Sequence, residues 1–295
     1  MKVFTKRAHY LTAALALGGT ALALGYRSRK ARGPWVVHEV RVPSTDGVVL
    51  RGFMRFPDGP GPHPAIVLLH GGRGGSPMRA SVMARSRVAA GLLAAGYAVL
   101  SAGYRRHAWM GGEVDDGEAA FRFLQSHRRI DPERISVLGN SHGGSIAIMM
   151  APRVPARCVI NYCGVTDAEV MVRFLTCSSL RAHAPLVREA LNDLKQICGG
   201  TLDEVPEMYR AMSPAYRAWQ LQCPIMTVHG SQDRLVPVTH AYILRDALEA
   251  AEKPFEIHIF PRMPHSFQFH NRPDARDAIE RTVRFLNQFN ASTST

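Results

Sequence analysis

Cysteine is sparse: five residues in a chain of 295, with no C-x-x-C pair and no Cys/His cluster at zinc spacing. That excludes a zinc-finger scaffold and a small disulfide-framed fold. Cys158, Cys163 and Cys223 read as core or incidental thiols. Cys177 and Cys198 fall in one irregular segment and would bridge only in an oxidising compartment. There is no basic stripe with interleaved aromatics despite a net charge of +12, so nucleic acid is not an expected partner. Low-complexity sequence is also scarce, and the 46% hydrophobic content is enough for a globular body with a sizeable core.

Acidic residues are missing altogether from the first 32 positions, which hold Lys2, Lys6, Arg7, Arg27, Arg29, Lys30 and Arg32. The remaining charge, about +5, is dispersed among acids as on an ordinary solvated surface. Between the basic clusters, Ala8 to Tyr26 is uncharged and rich in Ala, Leu and Gly. A basic start followed by an apolar run is the pattern of a bacterial export signal or a signal anchor. Ala21-Leu22-Ala23 offers a cleavage site, and the run is just long enough to cross a bilayer. Residues 1–32 are therefore expected to place the protein in the periplasm or at the inner membrane, with membrane association through residues 8–26; the alternative is a disordered or helical N-terminal extension of a cytoplasmic protein. The folded body is expected over 33–290, and residues 291–295 as a frayed tail.

After residue 33, strand-like and helix-like patterns alternate. Trp35 to Val42 and Val48 to Phe56, joined by Asp46-Gly47, predict an antiparallel hairpin. Ala65 to Leu69 is a continuous apolar run, the mark of a strand covered on both faces. A helix is predicted over Ser81 to Ala95, a strand over Tyr97 to Ser101, and a helix over Glu113 to Gln125. The acids Glu113, Asp115, Asp116 and Glu118 in that helix suit the positive end of its dipole. Further strands are predicted at Ile135 to Gly139, Val159 to Tyr162, Pro224 to His229 and Phe255 to Phe260. Helices are predicted at His142 to Met150, Val238 to Ala251 and Asp274 to Phe289. Residues 164–217 show helical pieces and no strand character. The fold class is α/β: a mostly parallel sheet of eight strands flanked by helices, with ligands bound at the carboxyl ends of the strands.

The chemistry-bearing residues fall at those ends. Gly139-Asn140-Ser141-His142-Gly143 stands between an apolar strand and an apolar helix. A serine on such a turn needs nearly side-chain-free positions two before and two after it, and Gly139 and Gly143 supply them. The N–H of His142 then lies at a helix N-terminus, facing the place where an oxyanion forms. A serine hydroxyl is a poor nucleophile unless a base is within reach and a carboxylate orients that base. Asp233 and His265 each follow a predicted strand, in the order Ser, Asp, His. His70, His229 and His258 read as structural. Asp167 competes as the triad acid but sits in a less suitable loop. Arg73, Arg105, Arg106 and Arg234 on exposed loops are expected to pair with solvent or nearby acids.

Several stretches together resemble the α/β-hydrolases, and within them the group of dienelactone hydrolases and prolyl-oligopeptidase catalytic domains. They are His70-Gly71-Gly72, the Asp131-Pro132-Glu133-Arg134-Ile135 lead-in to the serine turn, and Ser213-Pro214. The others are His229-Gly230-Ser231-Gln232-Asp233-Arg234-Leu235-Val236-Pro237 and Pro264-His265-Ser266-Phe267. The resemblance covers about residues 35–290. It implies Ser141 as nucleophile, Asp233 as orienting acid and His265 as base, with the N–H groups of Gly72 and His142 as the oxyanion hole. Two departures stand out. Dienelactone hydrolases carry a cysteine nucleophile, and prolyl oligopeptidases carry a β-propeller for which the sequence ahead of this domain has no room.

The resemblance implies a helical lid over 164–217. Its apolar positions Val170, Phe174, Leu175, Leu180, Leu186, Leu191, Leu194, Met208, Tyr209, Met212 and Trp219 would pack it onto the body and leave a partly apolar pocket. No cofactor and no metal are expected. The expected activity is a carboxylesterase-like serine hydrolase acting on small or medium esters through an acyl-enzyme. The alternatives are a peptidase of the prolyl-oligopeptidase type without a propeller, taking short peptides, and a catalytically silent binding protein.

Overall fold

The structure, a computed structural model, describes residues 36–72, 74–105, 110–177 and 184–291. The expected signal or anchor at residues 1–32, together with Trp35, Arg73, Arg106, Leu180 and residues 292–295 of the tail, lies outside the described residues. Among the described residues no helix is long and apolar enough to cross a membrane.

Eight strands form one sheet: β1 (His38–Pro43), β2 (Val49–Arg55), β3 (His63–Leu69), β4 (Ala98–Ala102), β5 (Ile130–Asn140), β6 (Val159–Tyr162), β7 (Ile225–Gly230) and β8 (Phe255–Phe260). Their spatial order is β1-β2-β4-β3-β5-β6-β7-β8. The β1–β2 and β2–β4 pairs are antiparallel and every other pair is parallel. Strand side chains alternate between two apolar layers. Ala65, Val67, Leu69, Ile135 and Val137 point to one face, where they meet α3 (Gly112–Gln125), α4 (His142–Met150) and α8 (Thr239–Ala250). Ile66, Leu68, Leu138, Met226 and Val228 point to the other, where they meet α1 (Pro77–Ala84), α2 (Arg87–Ala94) and α9 (Pro273–Asn290). Burial on both faces is why Ala65–Leu69 of β3 reads as a continuous apolar run rather than an alternating one.

The helix expected over Ser81 to Ala95 is two helices, α1 and α2, and the first starts earlier. Each has its own serine cap: Ser76 Oγ accepts the Arg79 N–H and Ser86 Oγ accepts the Ala89 N–H. Ser86 is extended (φ −70°, ψ 166°), so one continuous helix cannot pass through it. The first strand begins at His38 rather than Trp35.

The segment 164–217 contains α5 (Ala168–Thr176), α6 (Pro185–Cys198) and α7 (Pro206–Ala211), followed by a 3-10 turn at Pro214–Gln220. It builds a small core of its own from Leu194, Cys198, Leu202 and Tyr209, with Ala168, Val172, Val205 and Met212 packed around it. The fully buried Ser213 ties the ends together, accepting the Ala168 N–H at 2.8 Å and donating to Tyr209 C=O at 2.8 Å. Of the apolar positions expected to pack, Met208 is 41% and Trp219 64% exposed, so neither is part of this core. Cys177, exposed, and Cys198, buried, are both free thiols.

Candidate active site

Strand β5 ends at Asn140 and α4 begins at His142, leaving Ser141 alone on the turn with φ 54° and ψ −124°. A non-glycine residue held in that region costs of order 1–3 kcal/mol, so the surroundings must impose it. The Ser141 N–H donates to Tyr162 C=O at 2.7 Å, and Ser141 C=O accepts the Gly144 N–H at 2.8 Å. The flanking glycines are sterically required. A Cβ on Gly139 would lie 2.0 Å from Gly143 O, and one on Gly143 would lie 2.4 Å from Leu69 O.

Asp233 follows β7 and His265 follows β8. The structure brings both to Ser141: His265 Nε2 is 3.0 Å from Ser141 Oγ, and His265 Nδ1 is 2.6 Å from Asp233 Oδ2. The other Asp233 oxygen accepts the N–H groups of Leu235 and Val236, both at 2.9 Å. His229 Nε2 lies 3.3 Å from Asp233 Oδ2 and donates to Val236 C=O at 2.9 Å. Burial alone would raise the Asp233 pKa. The hydrogen bonds and charges of His229 and His265 outweigh it and hold the carboxyl well below the usual carboxylate range. His265 shows the opposite balance: burial lowers its pKa, Cys163 and Asp233 more than offset that, and the net shift is upward. An ionised Asp233 accepts the His265 Nδ1–H, so that in the neutral ring the Nε2 lone pair faces the serine hydroxyl. An imidazole so held can accept that proton, and the carboxylate stabilises the resulting cation.

The Gly71-Gly72 turn after β3 lies against the nucleophile. A Cβ on Gly71 would be 3.0 Å from Ser141 Cβ, and Gly72 adopts φ +90°, which favours glycine. The turn rests on a stack in which the His70 and Tyr104 rings are 4.3 Å apart and Tyr104 O–H donates to His70 C=O at 2.7 Å. Of the two residues expected to supply oxyanion donors, His142 is the first residue of α4 and Gly72 sits in this turn.

Several supports were not legible beforehand. Asn140 Oδ1 accepts from Ser266 Oγ at 3.1 Å and from Gln268 Nε2 at 3.2 Å, pinning the His265 loop to the serine turn. Glu113, read as a dipole partner, is 1% exposed and its carboxylate lies 2.6 Å from His142 Nε2. Asp116, 0% exposed, pairs with Arg105, which also pairs with Asp46. Glu113 and Asp116 thus meet partners from other segments, an assignment the favourable dipole position masked. Arg105 is therefore committed to acids, and Arg234 is exposed. Asp167 caps α5, accepting the Val170 N–H at 3.0 Å, and is not part of the Ser-His-Asp chain. His258 pairs with Glu256 at 3.0 Å.

Two buried imidazoles set an acid limit on stability. Burial pushes His70 down to about 3 and His240 down to about 4, from an ordinary 6.5. Both folded values are depressed, so below 6.5 the unfolded chain takes up protons that the folded chain refuses. The stability that these two rings contribute is expected in full above pH 6.5 and to be lost as pH drops from there towards 4. Thermal unfolding followed across that window checks this, and a flat melting temperature would contradict the neutral burial of these rings.

A doubly covered parallel sheet with a serine turn and a His-Asp relay at its carboxyl edge defines a serine hydrolase of the α/β-hydrolase fold. The model of the prolyl oligopeptidase family matches residues 95–292, and the chain belongs to that family. A curated relative, "Uncharacterized peptidase YtmA" of Bacillus subtilis, is 25% identical over 232 residues, covering 76% of this chain and 84% of that protein. Among solved structures, a puromycin-hydrolysing peptidase of Mycobacterium tuberculosis aligns with TM-score 0.72 and 19% identity over 90% of this chain. The chain spans 41% of that structure's length. An esterase of Thermogutta terrifontis aligns with TM-score 0.64 and 20% identity, covering 88% of this chain and 96% of that one.

Proposed function

We propose that this serine hydrolase is a peptidase that cleaves amide bonds in short peptides or aminoacyl amides. The observation that carries this reading is the family match over residues 95–292, which spans the serine turn, the Asp233 loop and the His265 loop together. The relative in Bacillus subtilis bears the name of a peptidase, which supports the same choice. In this reading Ser141 Oγ attacks the carbonyl carbon while His265 Nε2 takes its proton. The oxyanion is met by the N–H groups of His142 and Gly72. His265 then gives the proton to the leaving nitrogen and an acyl-enzyme remains. Water, deprotonated by the same imidazole, releases the acid and frees Ser141.

An amide demands more of the base than an ester does, because its nitrogen must be protonated as it leaves. The relay suits that demand. Asp233 stabilises the imidazolium formed in the first step, and the Asn140 bonds to Ser266 and Gln268 hold the His265 loop in place for the second. The preference for simple esters expected from sequence thus gives way to an amide preference.

The test is a matched panel of aminoacyl and dipeptidyl p-nitroanilides against short aliphatic p-nitrophenyl esters. The best amide is expected to reach a kcat/KM of at least about 10⁴ M⁻¹s⁻¹, within the ordinary enzyme range. If every amide lay about a hundredfold or more below the best ester, roughly 2.7 kcal/mol in transition-state terms, the esterase reading would replace this one.

A further inference from the structure

We propose that Cys163, His265 and Asp233 form an inhibitory site for a thiophilic divalent cation, zinc in the first instance. The inference rests on the serine-hydrolase reading of the same site and not on the choice between amide and ester. Among the described residues, the Cys163 sulfur, a ring nitrogen of His265 and a carboxylate oxygen of Asp233 all lie within 4.8 Å of one another. Sulfur, imidazole nitrogen and carboxylate oxygen are the three donor types zinc takes, in tetrahedral sites with bonds of about 2.0–2.3 Å.

The thiol reaches this place through its backbone. Cys163 follows β6 directly, at φ 43°, and its N–H donates to Val228 C=O at 3.0 Å. That anchors the residue between the ends of β5 and β7. Its sulfur lies 3.6 Å from Asn140 Oδ1 and 3.8 Å from Ser266 Oγ, on the His265 loop. Cys163 is 2% exposed, while the His265 side chain is 15% exposed, so an ion reaches the group from the side of the imidazole. Nothing in the proposed hydrolysis uses this thiol.

Binding would form one bond to each of sulfur, nitrogen and oxygen. It would release one proton to solvent, from the thiol, while the single proton of the neutral imidazole moves from Nδ1 to Nε2 so that Nδ1 can ligate. Small adjustments suffice. Tetrahedral ligands stand about 3.3–3.7 Å apart, so the 2.6 Å His265–Asp233 pair opens slightly and the sulfur closes in. An occupied site breaks the His265–Asp233 hydrogen bond and places a positive charge on the imidazole. The ring then cannot take up the Ser141 proton, and hydrolysis stops until the ion leaves. Magnesium and calcium prefer all-oxygen shells and are excluded by the sulfur.

The experiment uses full-length protein with the exposed Cys177 changed to serine, so that it cannot bind metal. Cadmium is added first, and the ultraviolet sulfur-to-cadmium charge-transfer band is followed in the Cys177→Ser protein and in Cys177→Ser/Cys163→Ser. The band is expected in the first and not in the second. Fluorophosphonate labelling of Ser141 is then measured against buffered free zinc. Zinc is expected to block labelling reversibly, with chelator restoring it. Cys163→Ser and Cys163→Ala should each raise the half-inhibitory zinc concentration at least about tenfold, while labelling without metal persists. Absence of the cadmium band, or the same half-inhibitory zinc in the presence and absence of the thiol, overturns the site. If the protein shows the band on cadmium addition but, freed of metal, takes no fluorophosphonate, the serine-hydrolase reading of Ser141 fails and the cation site stands.

Discussion

Ser141→Ala is expected to abolish both turnover and fluorophosphonate labelling, with a fall in kcat of about 10⁶-fold by analogy with other serine nucleophiles. In the proposed mechanism the hydroxyl oxygen forms the covalent bond, and the groups around it only polarise and orient. The Ser141 side chain contributes one recorded hydrogen bond, to His265, so its loss should leave the melting temperature almost unchanged. Asp233→Asn should cost about 10⁴-fold in kcat, because an amide in place of the carboxylate favours the wrong imidazole tautomer. Asp233 also accepts from Leu235, Val236 and His265, and the asparagine oxygen keeps part of that set, so the fold should survive. Steady-state kinetics and active-site labelling on the two variants decide the matter. Turnover by Ser141→Ala at the wild-type rate would remove Ser141 as the nucleophile.

Gly139→Ala and Gly143→Ala should each destabilise the protein by at least about 3 kcal/mol, and soluble yield should collapse. At both positions the added methyl meets backbone rather than a movable side chain: Gly143 O at 2.0 Å in one case and Leu69 O at 2.4 Å in the other. Relief would require β5 and α4, or α4 and β3, to separate, which breaks the turn that presents Ser141. Gly96→Ala is the control. Gly96 also has a left-handed backbone (φ +89°), but nothing lies within 4 Å of an added Cβ. It should lose only about 1–2 kcal/mol, the cost of the backbone conformation. Circular dichroism melts of the three variants separate close packing from backbone strain. A Gly139→Ala protein that melts with wild type would mean that the turn is looser than described.

The sheet strands were readable because burial on two faces leaves a local trace. The short stretch Val159–Tyr162 and the alternating Phe255–Phe260 coincide with β6 and β8 residue for residue. The serine turn was readable for a similar reason: its steric demand falls on Gly139 and Gly143, two residues either side of Ser141. The order of Ser141, Asp233 and His265, each after its strand, was also legible, because a doubly wound sheet puts all strand ends of one direction on one edge.

What remained hidden were the distant pairings around the Ser141-His265-Asp233 relay. Glu113 and His142 are 29 residues apart, Arg105 and Asp46 are 59 apart, and Asn140 meets Ser266 and Gln268 across 126 and 128 residues. Acids at a helix start look the same in sequence whether they face water or a polar partner from another segment. The break at Ser86 was missed because a serine inside an apolar helical pattern is tolerated as often as it caps. Local pattern thus carried the α/β architecture, the strand ends and the identity of the reactive turn, since each depends on neighbours a few residues away. Tertiary packing alone decided which acid holds which histidine, how the His265 loop is fastened to the nucleophile, and that the Cys163 thiol lies beside the base. Those contacts depend on how distant segments meet across the sheet, and no periodicity along the chain encodes that.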